Sequence, residues 1–146
     1  MKKRILYTLA IIALVAALSA EAESKAHVEV FDGNFFEKPV KIRCTCYCEH
    51  GTTASGQKTR YGIVAGMKGW QGYTAELNAI AEEGEVGEFI GYFEFLDTGA
   101  GMDTDGDGKG DTIINGESID VWVPTLEDAY KWRDTYGDYV YMKIIK

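Results

Sequence analysis

The chain has 146 residues and a formal net charge of −8, with 23 acidic against 15 basic side chains. That balance argues against a nucleic-acid partner, whose phosphates need a basic footprint, and the length admits one domain with one core. Two prolines and 17 glycines among many Val, Ile, Tyr and Phe favour a β-rich class over a helical bundle.

The N-terminus reads as an export signal. Lys2, Lys3 and Arg4 precede an apolar run from Ile5 to Leu18 that is too short for a membrane span. Ala20-Glu21-Ala22 fits a small-x-small cleavage site, which places a signal peptide at 1–22. Its removal takes the formal charge from −8 to about −10, because three basic residues and one acid leave. Residues 23–39 carry weak signals and read as a leader.

Val40, Ile42, Cys44, Cys46 and Cys48 alternate with Lys41, Arg43, Thr45 and Tyr47. That period of two predicts a half-buried strand with all three thiols on its apolar face. The thiols are expected as small core hydrophobes. A Cys-x-Cys bridge is geometrically awkward, and zinc held by the thiols and His50 lacks the usual paired spacing. Neither His27 nor His50 has a nucleophile partner at a telling distance. Ile63-Val64-Ala65 predicts a short strand before a Gly-rich turn from Gly66 to Gly72. Thr74 to Glu83 is open between strand and helix.

From Phe89 to Asp97 a strand is expected, with Phe89, Gly91, Phe93, Phe95 and Asp97 on one face. The next segment, Asp103-Thr104-Asp105-Gly106-Asp107-Gly108-Lys109-Gly110-Asp111, has acids at positions 1, 3, 5 and 9 and Gly at 6, the spacing of a calcium loop. Asp103, Asp105, Asp107 and Asp111 would supply carboxylates and Lys109 its backbone carbonyl. Position 12 is Ile114 instead of an acid, which predicts weak affinity, about 10⁻⁴–10⁻³ M.

Ile119, Val121 and Val123 alternate with Asp120 and Trp122 in another strand. Asp120 and Trp122 then point the same way, and a carboxyl beside an indole loses hydration, which raises its pKa toward neutrality. Thr125 is placed to cap a helix with Glu127 and Asp128 in its first turn. Leu126, Ala129, Tyr130 and Arg133 follow helical spacing, Gly137 stops the helix, and Tyr139 to Ile145 predicts the closing strand.

Several of these motifs occur together in a known family. Cys46-Tyr47-Cys48 followed by Thr53-Ala54-Ser55-Gly56, then Asp97-Thr98-Gly99, then Gly116 and Ile119-Asp120-Val121-Trp122, resemble the three-aspartate (3D) domain related to the membrane-bound lytic transglycosylase A family. The resemblance runs from about Lys41 to Lys146. It implies a mainly-β fold, a six-stranded double-psi β-barrel with one or two short helices over 40–146, and makes 101–116 a calcium-loop-like insertion. It also implies that Asp120 is a catalytic general acid/base, that Asp97 supports it, and that Thr98, Gly99, Trp122 and Trp70 contact substrate. One family aspartate is missing, since Val64-Ala65-Gly66-Met67-Lys68-Gly69-Trp70 places no carboxylate after the early strand.

The function expected from the resemblance is lytic transglycosylase-like cleavage of peptidoglycan between MurNAc and GlcNAc. The N-terminal signal makes the protein secreted or cell-envelope-associated, a monomer is expected, and the acidic loop adds structural calcium. A second expectation is a non-catalytic wall-glycan-binding module of the same fold. A third is a calcium-dependent adhesion domain.

Overall fold

The computed structural model describes residues 38–145. The expected signal peptide and most of the expected leader lie outside the described residues. Six strands occur in chain order: β1 Val40–Tyr47, β2 Ile63–Ala65, β3 Thr74–Ile80, β4 Val86–Asp97, β5 Ser118–Trp122 and β6 Tyr139–Ile145. One α-helix, α1 Leu126–Tyr136, stands between β5 and β6, and a short 3-10 turn spans Lys68–Trp70. The segment left open between strand and helix is strand β3.

The strands form one sheet whose pairings close into a ring, β1-β5-β2-β4-β3-β6 and back to β1. Two pairs are parallel, β1 with β5 and β2 with β4; the other four are antiparallel. Parallel neighbours cannot be joined by a tight hairpin, and both pairs here are joined by long excursions of the chain. A closed ring leaves no strand edge unpaired, which removes the usual template for edge-to-edge aggregation.

Alternation fills the core. β6 buries Val140, Met142 and Ile144 and turns Tyr139, Tyr141 and Lys143 outward. β1 buries Ile42 and Cys44, but Cys46 is half-buried and Cys48 lies beyond the strand, so the thiol stripe is shorter than the alternation predicts. All three cysteines are free. In β4 the expected odd-numbered face holds at Phe93 and Phe95, both almost wholly buried, and fails at Phe89, which is exposed. The reason is local: the β3–β4 register shifts at Asn78, between the Leu77–Gly91 and Asn78–Phe89 pairs, and again before Ile80, so the far end of β4 no longer follows the core face.

Helix α1 begins and ends where the residues predict. The Thr125 hydroxyl accepts the Asp128 N–H, and Gly137, at φ 77°, lets the chain leave through a conformation that L side chains resist. The buried face differs from the expected one. Leu126 and Tyr130 are exposed, and Trp132 is the residue driven inward, with its ring edge-on to Phe93 at 5.8 Å. A single large indole outweighs the smaller periodic set in deciding which side of a short helix is buried. No helix among the described residues is long and apolar enough to cross a membrane.

Gly66 closes β2 under two aromatic rings. A Cβ there would lie 2.5 Å from Phe95 Cε1 and 3.1 Å from Trp70 Cε3, and those rings pack on each other with centroids 5.3 Å apart. Gly66→Ala should therefore destabilise the fold by about 1–3 kcal/mol as an overpacking change. Urea unfolding of the variant checks this, and wild-type stability would mean that the rings have room to part.

Candidate functional site

Three adjacent strands bring the two aspartates together. Asp120 on β5 pairs across the ladder with Ala65 on β2, and Ala65 pairs on its other side with Asp97 at the end of β4. The second pairing depends on a register shift: Val64 faces Phe95, yet Ala65 faces Asp97, so Leu96 is the extra residue. Such a bulge bends the strand and re-aims the side chains beyond it. The freed Leu96 carbonyl accepts the Ser55 N–H at 3.1 Å.

Asp97 is held on several sides. The Tyr47 hydroxyl donates to its Oδ2 at 2.8 Å, the Ala54 N–H to Oδ1 at 2.9 Å and the Thr98 N–H to Oδ1 at 3.0 Å. The backbone carbonyl of Asp97 accepts the Gln71 side-chain amide at 2.7 Å and the Gly66 N–H at 3.1 Å. Three donors thus converge on the two side-chain oxygens of Asp97 and fix its orientation. Burial, followed by the hydrogen bond and charge of Asp97, pushes the Tyr47 phenol far above its usual range. Tyr47 therefore remains a proton donor.

Asp120 is half-buried and accepts one hydrogen bond, from the Thr45 hydroxyl to Oδ1 at 2.9 Å. Its pKa is raised to about 6, chiefly by burial; the Thr45 bond pulls the other way, and the charges of Glu49 and Asp97 add to the rise. The two carboxyls are thus differentiated by environment, one heavily hydrogen-bonded and one desolvated. Divergent environments of this kind separate acid and base roles in a pair of carboxyls.

Asp120 opens onto a groove of about 300 Å³ lined also by Arg43, Thr45, Gly99, Ala100, Gly101, Met102, Thr112, Ile113 and Ser118. Gly99 lines the groove, while Thr98 is exposed and contributes its backbone to Asp97. The tryptophans do not form the expected sugar platforms. Trp122 is 5% exposed, donates its indole N–H to the Glu49 carbonyl at 2.9 Å and meets the edge of His50. Trp70 is 6% exposed and lies against Phe95. Both are packing residues because their faces are already covered. His50 is structural too, donating from Nε2 to the Pro124 carbonyl at 2.9 Å. The exposed Lys68 begins the 3-10 turn.

The acidic loop folds back on itself. Asp103 accepts the Gly106 and Gly108 N–H groups at 2.7 and 2.8 Å, which lower its pKa. Carboxylate oxygens of Asp103, Asp105 and Asp111 lie within 4.8 Å of one another, a spacing compatible with one hard cation. Asp107 is outside that cluster and caps the Lys109 N–H at 2.8 Å. The thiols and His50 form no such group among the described residues. Burial first, then the charge of Asp120, pushes the Cys46 thiol up to about 12, so it is neither thiolate nor nucleophile near neutral pH.

Sequence reasoning overlooked Tyr47, Thr45, Ala54 and Gln71 as partners of the aspartates. The signal existed for two of them, because Thr45 and Tyr47 alternate with the apolar residues of β1 and so share its polar face. Ala54 acts through a backbone N–H, which no residue type announces. No protein-family model, curated protein or solved structure matches this chain.

The raised carboxyl has a consequence for stability. With a folded pKa of about 6 against an ordinary 3.8, the folded chain keeps a proton that the unfolded chain releases. Stability should fall as pH rises through that window and level off above it. Asp120→Asn removes the buried charge and keeps an oxygen for Thr45. At pH 7.5 the variant should be more stable than the parent by about 1–3 kcal/mol, with the advantage vanishing near pH 4. Chemical denaturation at the two pH values measures it; a variant less stable at both would contradict the assigned environment.

Proposed function

We propose that the chain is an exported glycan-cleaving enzyme of the cell envelope, acting on peptidoglycan by lytic transglycosylase-like chemistry, with Asp120 as general acid/base. The observation that carries this is the pairing of a desolvated Asp120 with a hydrogen-bonded Asp97 on either side of Ala65, beside an open groove. The mixed ring, with two parallel pairs linking strands distant in sequence, supports the double-psi β-barrel reading.

In the proposed reaction the protonated Asp120 carboxyl donates to the glycosidic oxygen as the bond to the muramic C1 breaks. The resulting carboxylate takes the proton of the C6 hydroxyl while that oxygen bonds to C1. The product is a 1,6-anhydro end, no water is consumed, and Asp120 is protonated again. A carboxyl that still holds its proton near pH 6 suits the first step, and Asp97 supports it by adding to the rise in the Asp120 pKa. Tyr47 and Ala54 fix Asp97 in place. The acidic loop joins the strands that carry the two aspartates, and calcium bound by Asp103, Asp105 and Asp111 would hold that loop in shape.

One observation favours a second reading, a glycan-binding module without catalysis: an exposed lysine, Lys68, stands where a third carboxylate would be. Mass spectrometry of purified sacculi after incubation separates the two. Anhydro-muropeptides are expected from the wild type and a loss of at least about 10²–10⁴-fold from Asp120→Asn. Activity should decline as pH rises through about 6, because the acid form is then lost. Binding to sacculi without any anhydro product would leave the module reading in place. Millimolar Ca²⁺ should raise the melting temperature by roughly a few degrees and Mg²⁺ by less; equal, absent shifts would remove calcium from the account.

A further inference from the structure

The groove beside Asp120 contains a positive group that the proposed chemistry does not employ. Arg43 lies on β1 two residues before Thr45, on the same face, and pairs across the ladder with Ser118 as Thr45 pairs with Asp120. Arg43 and Asp120 both line the groove. Among the described residues Arg43 forms no ion pair, and its Nε is buried with no hydrogen-bond partner. A buried donor without an acceptor is costly; Nε is closed off, so a carboxylate in the groove would meet the terminal nitrogens of the guanidinium, whose planar fork suits two parallel bonds.

The neighbouring polar groups do not compete for it. Ser118 Oγ donates to Thr112 Oγ1 at 2.8 Å, Thr112 Oγ1 accepts the Met102 N–H at 2.9 Å, and Thr45 serves Asp120. The remaining wall is apolar or glycine backbone. Its volume of about 300 Å³ is at the small end for ligand sites, the size of one sugar ring with its substituents.

We propose that Arg43 forms a specificity subsite for a carboxylate carried by the sugar bound next to Asp120, so that the groove selects acidic sugars over neutral ones. This rests on the glycan reading and sharpens it. In a peptide-substituted wall strand the lactyl carboxyl of the muramic unit is tied up as an amide. Once the peptide is gone it is a free carboxylate close to the ring. Glycan stripped of its peptides would then be the preferred substrate, and an enzyme class that hydrolyses the bond between sugar lactyl group and peptide must act first.

The test is calorimetric or NMR titration of the full chain with N-acetylmuramic acid, glucuronic acid and N-acetylglucosamine. An acidic sugar is expected to bind roughly ten- to a hundredfold more tightly than the neutral one. Arg43→Met should abolish that preference, while Arg43→Lys retains part of it. Either acid binding in an Arg43-dependent way supports the subsite, and which of them does so names the source of the carboxylate. Equal affinities in the wild type, or a preference that survives in Arg43→Met, would overturn it. Arg43→Lys, which keeps the charge and most of the stem, serves if the Met variant does not fold. Binding is read without turnover, so a chain that cuts no glycan can still reveal the subsite. A chain that cuts glycan but does not discriminate loses only the Arg43 assignment.

Discussion

The site depends on the two-sided pairing of a three-residue strand. Ile63–Ala65 has no polar side chain and is wholly buried, yet it lies between β5 and β4 and fixes where each of them ends. Ala65 faces Asp120 on one side and Asp97 on the other. Two aspartates 23 positions apart in the chain are brought by the strand ladder to opposite sides of Ala65. The bulge at Leu96 completes the arrangement, because without the extra residue Leu96, and not Asp97, would face Ala65.

Around that frame the fold spends its hydrogen bonds unequally. Asp97 receives a phenol and two backbone N–H groups, whereas Asp120 receives one threonine hydroxyl and is otherwise desolvated. The loop bearing Thr53 to Gly56 provides much of the difference, docking on β4 through Ser55 and Ala54. Carrying a carboxyl that resists ionisation destabilises the charged state of the fold, and tolerating such a group is common where proton transfer is the task. The ring of strands meets that cost with a continuous apolar interior running through Leu77, Phe93, Phe95, Ile119, Val121 and Met142.

Strand-forming segments were readable wherever alternation is strict, as in β1, β5 and β6, because one face must be buried and the other must not. β3 was ambiguous because Ala75, Glu76, Leu77 and Asn78 suit a helix as well, and only its pairing with β4 and β6 decides the matter. The two aspartates were legible from their Asp-Thr-Gly and Ile-Asp-Val-Trp surroundings. Their partners were not: Tyr47 and Gln71 reach Asp97 across the fold, and Ala54 uses its backbone. Trp70 and Trp122 misled for a related reason. An indole looks the same in sequence whether its face is open to a ligand or covered by Phe95 or held at the Glu49 carbonyl.

The central claim is that this frame desolvates Asp120 enough for its carboxyl to keep a proton up to about pH 6. A ¹³C NMR titration of the Asp120 side-chain carboxyl tests it most directly. The predicted midpoint is near 6 and moves downward in Asp97→Asn, since the charge of Asp97 contributes to the rise. A midpoint near the ordinary 3.8, unmoved by that substitution, would contradict it.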